Sequence, residues 1–496
     1  SDLVRFKNGY PEKLGGWQKD VIYGLNPSGN ATSVETSIEG IARRMIYWRA
    51  ASDGEDRLAI GTDNHLFILL NGLLYDITPL RKTSAGLSNP IATTNESTTV
   101  TITDASHGAE TGDWVVLSGT TATGGIAADT LNDYYGYQLT VIDGNSYSIV
   151  VPTAATSTVA AGGGTVEIKY LIGNSAGLGA QSAVPALGWG VGGWGQGTWN
   201  TARVATTPDI ALDNSSWNLS LWGEDLIATV RGGAIYYWDI SAGVSSRAVL
   251  VSSLAGAESV PTEARVTTVS FPDRHFIAGG CTAYNSAEVD DMLVRWSSQE
   301  EFTKFAPTAT NTAGDQRLEV GTKIVAMVAA REETIISTDE AVYGMTFVGG
   351  DFVFSFRLLA TDSGAAGLNT MIGIDGDVYW LGKRNFFRYD GIVKELPCSV
   401  QYYVFDRMQE NFIEKATVGH NKAFKEVTWF YVSNDNPAGT INPEPDSYVT
   451  YNYAEDAWTV GTMDRTVWSD SFGARKVPFA FDPDGHLYEH ETGTSA

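Results

Sequence analysis

The sequence predicts an all-β fold: a β-propeller of about six to seven irregular blades, with a small β-sandwich or barrel inserted and few helices. Three observations predict it. A hairpin-like cassette recurs along the chain, glycine-bearing turns separate short β-prone runs, and one segment alone carries a convincing helical stripe.

Each cassette is a β-rich run, a tight turn, and a second run that ends in an aromatic residue, often followed by an acid. The clearest copies end at Tyr75–Asp76, Trp238–Asp239 and Tyr389–Asp390, and looser ones at Trp296, Tyr343, Tyr451 and Tyr488. From Trp238 the marks lie 58, 47, 46, 62 and 37 residues apart. Those spacings centre on the roughly 40 to 50 residues of a four-stranded blade. Asn71-Gly72, Asp375-Gly376, Asp390-Gly391 and Asp484-Gly485 offer the positive φ that two-residue hairpin turns require. One blade cannot bury both its faces, whereas ringed blades stack on one another. An ordinary multi-sheet β protein with look-alike hairpins is the competing reading.

Between Tyr75 and Trp238 the rhythm breaks for 163 residues. There, TTVTIT, DWVVLSG, YQLTVID, SYSIVV and TVEIKY alternate with period 2 between Gly, Asn and Asp turns. They predict a separate β-sandwich or barrel that projects from a loop of the ring. A glycine-rich excursion from Gly173 to Asn200 follows, bearing Trp189, Trp194 and Trp199. Such indoles need a covering surface, on a partner or on the same chain. Trp17, Trp189, Trp194 and Trp199 are therefore the candidate partner-contact residues. The domain reading is 1–90 for the N-terminal segment and first blade, 91–170 for the insert, 171–220 for the excursion and 221–496 for the remaining blades. The helix is expected over Ser399 to Lys415, with Ser399 as N-cap and Val400, Val404, Met408 and Phe412 on one face.

Composition excludes several functions. The 33 basic and 58 acidic residues leave a net charge of −25, which argues against gripping nucleic acid by phosphate neutralisation. The basic pairs Arg43–Arg44, Arg81–Lys82 and Lys383–Arg384 form no stripe and read as solvated strand ends. Two cysteines, Cys281 and Cys398, make neither a disulfide framework nor a zinc ribbon and fit a reducing compartment. The N-terminal stretch has no apolar signal core, and no run approaches the ~20 residues of a membrane helix.

Chemical motifs fail on context. Gly173 to Gly177 has the form GxSxG without the strand and helix of a nucleophile elbow, and Gly188, Gly190 and Gly193 match GxGxxG with no helix following. His486 and His490 lie in a predicted strand, where four residues span about 13 Å, too far for one ion. Acid pairs such as Asp482 with Asp484 border turns. No catalytic residue, cofactor or metal is expected, and the chain reads as a non-enzyme.

Longer phrases carry a resemblance. RFKNGYPEKLGGWQKD (Arg5 to Asp20), VRWSSQEEFTKFAPTATNTAGDQRL (Val294 to Leu318), VYGMTFVGGDFVFSFRLL (Val342 to Leu359), VYWLGKRNFFRYDG (Val378 to Gly391) and LPCSVQYYVFD (Leu396 to Asp406) resemble tail hub or nozzle proteins of short-tailed bacteriophages. That group includes packaged-DNA stabilisation and tail tubular protein B-like proteins. The resemblance covers about Ser1 to Leu80 and Asp291 to Glu491, and more weakly the insert. It implies a β-propeller with added β domains, and a structural virion protein of the tail assembled in the host bacterial cytoplasm. It further implies a ring, hexameric in that family, that docks on the tail adaptor and neighbouring tail proteins, retains packaged DNA and forms part of the ejection channel. Double-stranded DNA would pass through the lumen without sequence-specific binding, and no membrane insertion is implied. The alternative is a carbohydrate-binding or carbohydrate-hydrolysing propeller of a tail appendage; a cytosolic scaffold ranks third.

Overall fold

Seven sheets, antiparallel except where Ile22–Leu25 joins the edge of the first in parallel, follow one another around a common axis in the computed structural model, which describes residues 3–173, 214–350, 352–435 and 443–493. Blade 1 comprises Ala42–Arg49, Asp56–Thr62, Leu66–Leu70 and Leu73–Asp76. Blades 2 to 6 run from Trp217–Trp222 to Val249–Leu250, from Ala264–Val269 to Gly314–Arg317, from Ile324–Ala329 to Phe354–Thr361, from Met371–Ile374 to Val393–Leu396, and from Thr417–Asn421 to Ala457–Thr462. Blade 7 takes Val467–Ser469, Phe479–Phe481 and Leu487–His490 from the C-terminal end and Trp17–Asp20 from the N-terminal end. The first strand of every blade lies beside the first strand of the next, and that of blade 7 beside that of blade 1, so the ring is complete.

One cassette marks each blade. Trp238, Trp296, Tyr343, Tyr389, Tyr451 and Tyr488 all lie on third strands, and Tyr75 on the fourth strand of blade 1. Middle strands read as continuous apolar runs because a neighbouring blade covers each face. Leu66–Leu70, Phe276–Thr282 and Ser447–Asn452 are buried at every position. Asn71-Gly72 and Asp375-Gly376 form two-residue turns with both φ positive, while at Asp390-Gly391 and Asp484-Gly485 only the glycine is left-handed.

The core is a set of wedges between blades. Separate apolar clusters fill the joints of blades 1 and 2, 2 and 3, 3 and 4, 4 and 5, 5 and 6, and 7 and 1. At the joint of blades 6 and 7 the Phe430 and Trp468 rings stack at 5.6 Å. Indoles clasp neighbours as well as fill space. Trp217 donates to the Thr62 carbonyl (2.8 Å), Trp380 to Ser363 (2.7 Å), Trp429 to Thr370 (3.0 Å) and Trp468 to His420 (3.0 Å). Each bond satisfies a buried N–H on an adjoining segment and so fixes the joint's angle as well as its area.

The five period-2 runs of the insert form strands Thr99–Thr103, Trp114–Ser118, Tyr137–Asp143, Ser146–Val150 and Thr165–Leu171. With Leu80–Ser88, Ile91–Thr93 and Val159–Gly162 they make one eight-stranded sheet around a core of its own, containing Val100, Leu117, Tyr147 and Ile168. Leu80–Ser88 pairs with Thr165–Leu171 as the neck through which the chain leaves and re-enters the ring.

The helix expected over Ser399 to Lys415 is broken. An α-helix spans Gln401–Arg407 and a 3-10 segment Glu410–Lys415, with Met408 between them extended (ψ 131°) and bridged to Ser433. Val400 occupies the cap position with no side-chain cap bond, so Ser399 is not the cap. The break buries Met408 between blades 5 and 6 and turns the next segment toward the axis.

Candidate functional site

The connection between blades 5 and 6 delivers Glu414 and Lys415 to the middle of the ring. Glu414 meets Arg231, at the end of the second strand of blade 2, at 2.8 Å, and Lys323, before blade 4, at 3.6 Å. A carboxylate carried between blades 5 and 6 can touch cations of blades 2 and 4 together only near the ring axis. A second cluster adjoins it. Glu444 accepts from Arg43 Nη2 of blade 1 (2.8 Å) and from Lys415 Nζ (2.6 Å), and Lys415 also donates to the Pro443 carbonyl (3.0 Å).

Asn369, which precedes blade 5, spans the same axis. Its Nδ2 donates to the Arg43 carbonyl (2.9 Å), its Oδ1 accepts from Arg44 (3.2 Å), and its own carbonyl accepts from Val418 N (2.9 Å). Blades 1 and 5 are not neighbours, so these bonds run across the hub. The pair Arg43–Arg44, expected at a solvated strand end, is thus part of the hub, and the Arg43 side chain is 3% exposed. A β-bulge between Ala42 and Arg44 re-aims the pair.

Electrostatics fix this arrangement. Burial raises the pKa of Glu414, but Arg231 and Lys323 more than reverse it; burial likewise opposes Arg43 and Lys415 at Glu444, and both carboxyls end below their ordinary range. Burial lowers Lys323 and Lys415 despite their acidic partners, and lowers Arg44 as its sole resolved influence. Desolvated pairs of this kind add little net stability but are costly to break, so they specify geometry. They hold the hub as a cross-braced plug.

Trp17 lies on the strand that closes blade 7, half-buried, its ring 5.9 Å from His490 and its face toward the Arg465 guanidinium at 5.6 Å. Trp189, Trp194 and Trp199 lie outside the described residues, as do the GxGxxG match and all but the first residue of GxSxG. Histidines serve as structural groups. His107 Nε2 donates to the Asp143 carbonyl and its Nδ1 accepts from Ala109 N, while His275 bonds Asp273 and Thr312. Asp482, Asp484 and His486 bring one ligand atom each within 4.8 Å of one another, a set that could hold a cation. Asp482 also accepts from the His486 backbone N–H (2.8 Å), which closes its turn.

A cavity of about 500 Å³ opens between blades 7 and 1, lined by Asp20, Tyr47, Asp56, Arg475, Lys476 and Glu489. Arg475 ties it together, bonding Asp20 at 2.8 Å and Glu489 at 3.2 Å. Sequence reasoning found neither this cavity nor the hub. Arg43–Arg44 was the one visible signal, and the partners that give it meaning come from the far half of the chain.

No known family matches the sequence, and no curated protein does. Solved structures similar to it include a phage phi92 endosialidase, at 10% identity and TM-score 0.24, with 98% of this chain and 66% of that chain covered. A fungal alcohol oxidase of the AA5 family in complex with copper is 9% identical, with a TM-score of 0.35 and coverage of 84% and 76%. BamB from Moraxella catarrhalis is 10% identical, with a TM-score of 0.28 and coverage of 55% and 81%. The chain spans just under two thirds of the endosialidase. The fold that the strand order defines is a seven-bladed β-propeller with an inserted β domain.

Proposed function

We propose that the chain is a structural virion protein, a ring-forming subunit of the portal–tail assembly of a short-tailed bacteriophage that retains packaged DNA and lines part of its exit. The observation that carries this reading is the cross-braced hub. Many propellers keep a channel along the axis, whereas here Glu414, Glu444 and Asn369 tie opposite blades together and make the disc stiff. DNA would travel through the lumen of the assembled ring, outside the hub of any one subunit. A wall from a chain of net charge −25 repels the duplex and lets it slide. The insert on its two-stranded neck supplies a surface for neighbours.

Sedimentation of the purified chain, alone and with portal and adaptor, tests the proposal. Closed rings of about six copies are expected under the cyclic symmetry of such assemblies. A persistent monomer under both conditions, with the chain missing from purified particles, overturns it.

The cavity between blades 7 and 1 favours a second reading, a carbohydrate-binding or carbohydrate-hydrolysing appendage. Asp20, Asp56 and Glu489 beside Tyr47, Arg475 and Lys476 suit a polyhydroxylated ligand. Glycan-array binding that is lost in Asp56→Asn and Glu489→Gln would favour it over the ring.

A further inference from the structure

We propose that the hub binds a phosphate-type oxyanion, with Arg44 as its principal ligand. Around the axis, Arg43 and Lys415 share Glu444, Arg231 and Lys323 share Glu414, and Arg265 meets Asp291 at 3.4 Å. Arg44 is the exception. Among the described residues it meets no carboxylate, and its hydrogen bond goes to the neutral Oδ1 of Asn369. A guanidinium carries five N–H donors in a planar fork that matches two oxygens of a phosphate at once.

The neighbouring residue in the chain also holds an unpaired donor. Arg43, whose side chain is 3% exposed, buries an Nε–H with no acceptor among the described residues. The β-bulge at Ala42–Arg44 interrupts the alternation of the strand, and Asn369 bonds both the backbone carbonyl of Arg43 and the guanidinium of Arg44. A small anion can reach Arg44, which is only partly buried. Basic groups gathered at the centre of a chain of charge −25 attract an anion that the rest of the surface repels. The inference does not depend on the ring, since the site is complete within one copy.

Equilibrium dialysis of the full chain against radiolabelled inorganic phosphate, at constant ionic strength in chloride, tests it. The expected result is saturable uptake of one phosphate per chain, with Tm raised by about 2 °C at saturation. Arg44→Gln should weaken uptake by about tenfold or more, and Arg44→Lys should retain part of it. A parallel arm with glycerol phosphate distinguishes sources: competition at equal concentration identifies a site for phosphate monoesters, and failure to compete a site for the free ion. No saturable uptake by the wild-type chain, or equal uptake by Arg44→Gln, overturns the proposal. Because the wild-type measurement decides by itself, a poorly folding variant does not protect the idea. Sedimentation of the same samples reads the ring separately.

Discussion

Trp217 packs against Gly61. A Cβ built on that glycine would stand 2.6 Å from the indole Cδ1, and the same ring donates its N–H to the adjacent Thr62 carbonyl. Blade 7 repeats the device on blade 6, where Trp468 occupies the space that a Cβ on Gly419 would need and donates to the His420 carbonyl. Gly61→Ala and Gly419→Ala should therefore each destabilise by about 1–3 kcal/mol through overpacking. The denaturation midpoint in urea reads the loss, and an unchanged midpoint for both would refute the contact.

The insert is pinned to blade 1 by Tyr135, whose hydroxyl donates to the Leu74 carbonyl (2.9 Å) and accepts from Leu25 N (3.2 Å). Tyr135→Phe strands both backbone groups and should cost about 1–3 kcal/mol. Faster hydrogen exchange at Leu25 while the insert's own core stays protected would confirm that the docking, not the domain, has loosened.

Glu414 is braced by Arg231 and Lys323 across the hub. Replacing it with Gln leaves two desolvated cations facing a neutral amide, at a cost of about 3 kcal/mol for breaking a buried pair. Thermal unfolding of Glu414→Gln beside Glu410→Gln checks this, because Glu410 is 73% exposed and should change little.

The N-terminal hairpin, Val4–Lys7 with Tyr10–Lys13, is fastened through Arg5, which hydrogen-bonds Glu491, forms an ion pair with Glu426 and lies 3.5 Å from the Phe424 ring centre. Burial first, then repulsion from Glu491 and Glu12, pushes Glu426 up to about 7 against the attraction of Arg5. The folded value is raised above the unfolded one, so the contribution is fully present below about 4.5 and is lost as pH rises through about 7. The urea midpoint of the wild-type chain should accordingly fall between pH 5 and pH 8 through this group. Glu426→Gln, which fixes the neutral form, should flatten that dependence.

Removing residues 1–20 takes the fourth strand from blade 7 and leaves the edge of Leu487–His490 unpaired. Tm should fall by about 5 °C or more, and light scattering should report association through the bare edge. A truncated chain that stays monomeric with its Tm intact would show that three strands suffice.

Local signals carried most of the fold. Trp238 and Tyr389 were visible because a turn, an aromatic and an acid recur within one hairpin, and Asn71-Gly72 sets its own turn without outside help. What escaped depends on distant partners. Trp17 reads as an isolated indole until His490 stands beside it. The stripe through Val404, Met408 and Phe412 is helical by period, yet packing of Met408 and the pull of Glu444 on Lys415 break it. Arg43–Arg44 looks like surface because nothing within many residues hints at Glu444 or Asn369. Of the four tryptophans chosen as contact candidates, only Trp17 falls among the described residues.

The closing strand also sets a schedule for biogenesis. Trp17–Asp20 leaves the ribosome well before its mate Leu487–His490, because the other six blades lie between them in the chain. At ordinary elongation speed the interval is roughly 25 to 95 s, during which six blades can form while an orphan ribbon waits beside them. Nascent chains would then be vulnerable to swapping that ribbon with a sister molecule, most of all where many copies are made at once.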